Sequence, residues 1–183
     1  MVLNIPNSLT LLRLFLVPLL TIVIIYREFE LALALFLVAA LSDLLDGLFA
    51  RLLDQCTLLG LYLDPAADKM LTLSCYLSLA FIGLVPAWLA VVVFFKDLFM
   101  ILGAAIIFFC GWELKVEPSR WGKYTTFLQL LTVAAVLFVV VADWSATWLS
   151  WLFYLTGLLT LFSGGHYIFR RLCTLPEEPR LPV

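Results

Sequence analysis

Six apolar runs of about twenty residues, parted by short polar breaks, restrict how this chain can fold more than any other feature. Each is close to the length that carries an α-helix across the hydrocarbon core of a bilayer. The 183-residue chain is 64% hydrophobic and 13% charged, and its mean hydropathy is +1.11. A soluble domain of this size does not need so much apolar surface, so the pattern predicts an all-α integral membrane protein. The net charge of -2 and the lack of a basic stripe or tail give no basis for nucleic-acid binding. Cys56, Cys75, Cys110 and Cys173 lack CxxC spacing and read as small packing residues rather than a zinc site or disulfide framework.

Taken in order, Met1 to Asn7 is polar, holds Pro6, and predicts a short interfacial segment. No basic region precedes the first run, so that run is expected to stay as a helix rather than be cleaved as a signal. The predicted spans are Ser8–Tyr26, Leu31–Leu53, Leu58–Ile82, Ala87–Cys110, Lys123–Val141 and Trp148–Phe169. Residues 1–183 are expected to form a single domain. Six spans place both termini on one side, together with Arg51, Lys115, Arg120, Lys123, Arg170 and Arg171, whereas the opposite turns offer only Arg27 among basic residues. The positive-inside rule makes the richer side cytoplasmic, in a multi-pass inner membrane protein.

Into this apolar frame the second and third spans bring Asp43, Asp46, Asp64 and Asp68. An ionised side chain at such a depth costs several kcal/mol unless paired, hydrated or metal-bound. Residues three and four apart share a helix face, so Asp43 and Asp46 point one way from the second span, and Gly60, Asp64 and Asp68 share a face of the third. A short link makes the two spans antiparallel neighbours, and four carboxylates can then converge. A pair of Mg2+ or Mn2+ ions would relieve their repulsion, since hard cations prefer carboxylate oxygens and two ions about 4 Å apart can bridge a phosphate. Gly47 and Gly60 leave room for a ligand beside the backbone, and Arg51 can meet phosphate oxygens. Phosphoryl-group chemistry at a membrane surface suits this set, with the site on the cytoplasmic side between helices 2 and 3.

The remaining polar residues carry less. Lys96 and Asp97 are neighbours in the fourth span, are expected to point in different directions, and either join the cavity or serve separate helix contacts. His166 has no second histidine and reads as a packing or interfacial residue. The six tryptophans lie near predicted span ends, as an aromatic belt would place them.

Asp43, Asp46, Gly47, Ala50, Arg51, Gly60, Asp64 and Asp68 match without gap or substitution the signature of the CDP-alcohol phosphatidyltransferases, which the chain resembles. The opening Asn4-Ile5-Pro6-Asn7-Ser8-Leu9-Thr10-Leu11-Leu12-Arg13 is similar to bacterial members that make phosphatidylglycerophosphate or cardiolipin. The resemblance implies that Asp43, Asp46, Asp64 and Asp68 hold two divalent ions and that Asp68 also acts as base. It implies further that Gly47, Ala50, Arg51, Thr57 and Gly60 surround the CDP group. CDP-diacylglycerol would be the donor, a glycerol-type alcohol the acceptor, CMP the leaving group, and the protein a homodimer among membrane lipid. Glycerol 3-phosphate would want a basic cluster, for which Lys96, Arg120 and Lys123 are the candidates. Family members that use glycerol phosphate tend to carry arginines in the fourth span, where Lys96 is the only basic residue here, so phosphatidylglycerol stands nearly level as acceptor.

Two other classes compete. A transporter also places carboxylates inside the membrane, but it predicts interrupted helices in two matching halves, and here the acids are confined to consecutive spans. An intramembrane aspartyl protease needs two aspartates without the arginine and glycines around them.

Overall fold

The structure, a computed structural model, describes residues 5–52, 58–109 and 120–173, with side chains at 10–42, 66–103, 121–167 and 169. These residues form six helices: α1 (Ile5–Ile25), α2 (Phe29–Leu52), α3 (Leu58–Phe81), α4 (Ala87–Phe109), α5 (Arg120–Val141) and α6 (Trp148–Cys173). Number and order match the predicted spans. The start of α1 differs, because Pro6 and Asn7 lie in its first turn rather than in a separate interfacial segment. A proline there loses nothing, since the first backbone N–H groups of a helix have no partner within it. Pro18 sits inside α1, which continues through it.

Three short turns close α1, α3 and α5 in the same manner. The second residue after each helix takes a left-handed conformation, Arg27 at φ 64°, Gly83 at φ 81° and Asp143 at φ 47°. The next amide then reaches back five residues: Glu28 N–H donates to the Val23 carbonyl at 3.0 Å, Leu84 to Leu79 at 2.9 Å and Trp144 to Val139 at 3.1 Å. These bonds satisfy carbonyls that the helix ends leave open. Only one of the three positions is glycine, so the other two turns carry a modest backbone strain.

α1 packs along both α2 and α3, so the expected hairpin of α2 and α3 is bridged by α1 over its described length; α4 packs on α3 and α6, and α5 on α2 and α6. The core joins Leu20 and Ile24 of α1, Phe36 of α2, Leu71, Cys75 and Leu79 of α3, Leu89 and Val93 of α4, and Val133 and Leu137 of α5. Polar side chains are buried beside it. Gln129 Nε2 donates to Thr160 Oγ1 at 3.1 Å, the Thr132 and Thr156 hydroxyls lie 2.7 Å apart, and the Tyr76 hydroxyl donates to the Gln129 carbonyl at 3.1 Å. These bonds tie α3, α5 and α6 together along a polar seam. The outside is the reverse: Phe15, Phe81, Phe127, Trp151 and Leu158 are all at least two-thirds exposed. Among the described residues, one helix, Trp121–Val141, is long and apolar enough by itself to cross a membrane.

α4 and α6 meet closely at Gly157, where an added Cβ would stand 2.5 Å from Trp88 Cζ3. The Trp88 ring is stacked on Tyr154 with centroids 5.6 Å apart, so it has little freedom to retreat. Gly157→Ala should therefore lower stability by about 1–3 kcal/mol. Gly165→Ala, where a Cβ meets nothing within 4 Å, should hold or gain stability. Thermal unfolding of the two variants in detergent checks the contrast.

Candidate active site

The eight signature residues fall on two helices. Asp43, Asp46, Gly47, Ala50 and Arg51 occupy the second half of α2, and Gly60, Asp64 and Asp68 the first half of α3. Both segments are continuous helix, so the three- and four-residue spacings place Asp43 with Asp46, and Asp64 with Asp68, on shared faces. Side chains at 43–52 and 58–65 lie outside the described set, as does Thr57 altogether. Among the described residues no three acidic, histidine or cysteine side chains gather. The donor set itself is four carboxylates, which is the chemistry that hard divalent cations favour.

Asp68 is half-buried, and its backbone carbonyl accepts a hydrogen bond from Thr72 Oγ1 at 3.0 Å. The next residue, Lys69, leaves α3 toward α4 and places Nζ 2.6 Å from Asp97 Oδ1. Lys96 Nζ reaches the same oxygen at 2.9 Å. The side chains of Lys96 and Asp97 are only 4% and 5% exposed, so burial makes this ion cluster stronger and its disruption costlier than on a wet surface. Lys96 and Asp97 thus share one contact instead of diverging. Their Cβ atoms point apart, but the four-carbon lysine stem is long enough to fold back onto the neighbour.

The candidate acceptor residues separate. Lys96 is buried in α4, Lys123 is exposed in the first turn of α5, and Arg120 opens α5 with its side chain outside the described set. Two residues without a role in the sequence reading come forward. Lys69 was legible as the neighbour of Asp68, but its partner lies 28 positions away. Arg13 is fully buried in α1, on the face it shares by helical spacing with the buried Thr10, Val17 and Leu20, and its position in an apolar run was the available signal. His166 is half-buried against Phe162, as a packing residue would be. Trp88 and Trp121 sit at helix starts, in keeping with the expected belt.

Residues 3–160 match the family described as CDP-alcohol phosphatidyltransferase. The chain belongs to that family. A probable CMP-forming cardiolipin synthase of Drosophila melanogaster is 34% identical over 188 residues, covering 93% of this chain and 58% of the relative. The CDP-diacylglycerol--glycerol-3-phosphate 3-phosphatidyltransferase of Aquifex aeolicus is 38% identical over 144 residues, covering 76% of this chain and 79% of the relative. The human CMP-forming cardiolipin synthase is 32% identical over 181 residues, covering 90% and 60%. The matched region contains every signature aspartate. Membership in a phosphatidyltransferase family sets aside the transporter and protease readings.

Asp97 holds two cations on one oxygen, so its loss should hurt more than the loss of either lysine. Asp97→Ala leaves the buried Lys96 ammonium without a counter-charge and should destabilise the protein by about 3–5 kcal/mol. Lys69→Met leaves Asp97 still paired to Lys96 and should cost clearly less. Denaturation midpoints for the two variants that coincide would count against the cluster.

Proposed function

We propose that this protein transfers the phosphatidyl group of CDP-diacylglycerol to a glycerol-type alcohol with release of CMP, as a step of phospholipid biosynthesis. The complete aspartate signature on two continuous helices, inside the matched family region, carries the reading. The inverted surface supports a membrane setting: apolar side chains cover the outside while threonines, Gln129 and an ion cluster sit within. In this reading all six helices span the membrane, both termini and the site face the cytoplasm, and the working form is a homodimer.

Asp43, Asp46, Asp64 and Asp68 would hold two divalent ions, Mg2+ or Mn2+, which supply charge neutralisation at the pyrophosphate and its departing oxygen. Gly47, Ala50 and Gly60 present small side chains where the CDP group would lie, with Thr57 and Arg51 as polar contacts and Arg51 offering a planar donor fork to phosphate. Asp68 accepts the proton of the acceptor hydroxyl. The freed oxygen bonds to the phosphorus on the diacylglycerol side, the bond from that phosphorus to the bridging oxygen breaks, and CMP leaves with the electron pair. Lys69, one position on from Asp68, pairs with Asp97 and so ties this end of α3 to α4. Lys96, Arg120 and Lys123 are the cations proposed for an acceptor phosphate, with Lys96 buried and paired to Asp97.

CMP release by purified protein tests the reading, with CDP-diacylglycerol as donor and either glycerol 3-phosphate or phosphatidylglycerol as acceptor. Activity should vanish with chelator and return with Mg2+ or Mn2+. Asp68→Asn should lower turnover by about 10^2- to 10^4-fold while CDP-diacylglycerol still binds. Metal-independent release, or an Asp68→Asn protein as active as the original, would remove the proposal.

A further inference from the structure

A groove runs between α4 and α6, with a cavity volume of about 290 Å3. That is near the lower end of ligand pockets, which run from about 300 to 1,000 Å3. Its walls are Val91, Phe95 and Phe99 from one helix and Leu161, Gly164 and Gly165 from the other, with Lys96 as its charged lining residue. Phe95, Phe99 and Leu161 are 46%, 51% and 63% exposed, so the groove opens on the outer apolar surface.

The two glycines keep it open. A Cβ at Gly165 would meet nothing within 4 Å, and one at Gly164 would come 3.4 Å from Lys96 Cγ. Along the same helix pair, Gly157 is filled by Trp88 and a Cβ at Gly103 would meet Tyr167 at 3.7 Å, so contacts flank the gap on both sides. Through Lys96 the groove joins the ion cluster, and through Lys69 that cluster joins the position next to Asp68. An occupant therefore approaches Asp68 from the α4 side of α3.

The charge of the cluster suits an anion. Two ammonium groups share one carboxylate, which leaves one positive charge in excess. A phosphodiester carries one negative charge and so complements that excess. A water-soluble acceptor also has no use for an apolar trough that opens on the lipid-facing surface.

We infer that the α4–α6 groove seats an acyl chain of the acceptor, which is a phospholipid with a free headgroup hydroxyl and a phosphodiester that meets the Lys69–Asp97–Lys96 cluster. The inference rests on the phosphatidyltransferase reading and names its acceptor class. The headgroup oxygen bonds to the donor phosphorus, its proton passes to Asp68, and CMP departs, so one lipid is joined to another.

The test uses full-length protein in nanodiscs with CDP-diacylglycerol, Mn2+, and phosphatidylglycerol or glycerol 3-phosphate as acceptor. Gly165→Leu fills the groove and should raise KM for phosphatidylglycerol by about tenfold or more while KM for CDP-diacylglycerol stays put. Leu158→Phe, an outward substitution on the same helix, should change neither. Phosphatidylglycerol with a photoreactive acyl chain should label α4 and α6 in the unsubstituted protein, a readout that does not depend on any variant folding. An unchanged KM in Gly165→Leu, labelling confined to other helices, or activity with glycerol 3-phosphate alone overturns the inference and leaves the transferase reading standing. Conversion of a dimer to monomers by Gly165→Leu also overturns it, because the groove would then be an interface between copies. No CMP release with either acceptor removes the transferase reading and this inference together.

Discussion

Polar groups in this bundle must find their partners inside it, because the outer surface is apolar. That constraint shapes both halves of the molecule. On the α5–α6 side it produces the seam of Thr132, Thr156, Thr160 and Gln129, closed from α3 by Tyr76. On the α3–α4 side it produces the two lysines on Asp97. Each hydrogen bond of this kind contributes on the order of 1 kcal/mol in helix bundles of apolar exterior, whereas an unpaired buried charge costs several times more. Neutral groups are spread along the seam, whereas Lys69, Lys96 and Asp97 are gathered at one point.

The gathered charges also join separate parts of the fold. Asp97 ties α3, immediately after Asp68, to α4, and Lys96 carries the connection to the α4–α6 groove. The same helix pair uses glycine in opposite ways. At Gly157 the missing side chain admits the Trp88 ring and locks the helices together; at Gly164 the Lys96 stem lies alongside, and at Gly165 nothing fills the space and the groove remains. Under the proposed reaction these two features place a closely packed contact beside an opening on the apolar surface.

Much of this was legible before any coordinates. Apolar run length identified all six helices, since a backbone in an apolar setting must close its own hydrogen bonds and the helix does so locally. The signature aspartates stood out as a candidate site because a carboxylate in such a run needs a partner. The seam was less visible. Thr125, Gln129 and Thr132 repeat at helical spacing, as do Thr156, Thr160 and Ser163, but weak polar residues at that spacing also suit a lipid face or a bend. The left-handed turn at Arg27 was hidden because arginine does not advertise that conformation as Gly83 does.

The sequence by itself determined helix number, order and the chemistry of the aspartate set, because those follow from local hydrogen bonding and from the types of side chain placed at fixed helical spacings. Only the tertiary structure decided that Lys96 and Asp97 share a contact, that Lys69 completes it, that Arg13 is buried, and that α4 and α6 part beside them. Each of those depends on which helix faces which and on how far a long side chain reaches, and neither is encoded in the spacing of residues along one helix.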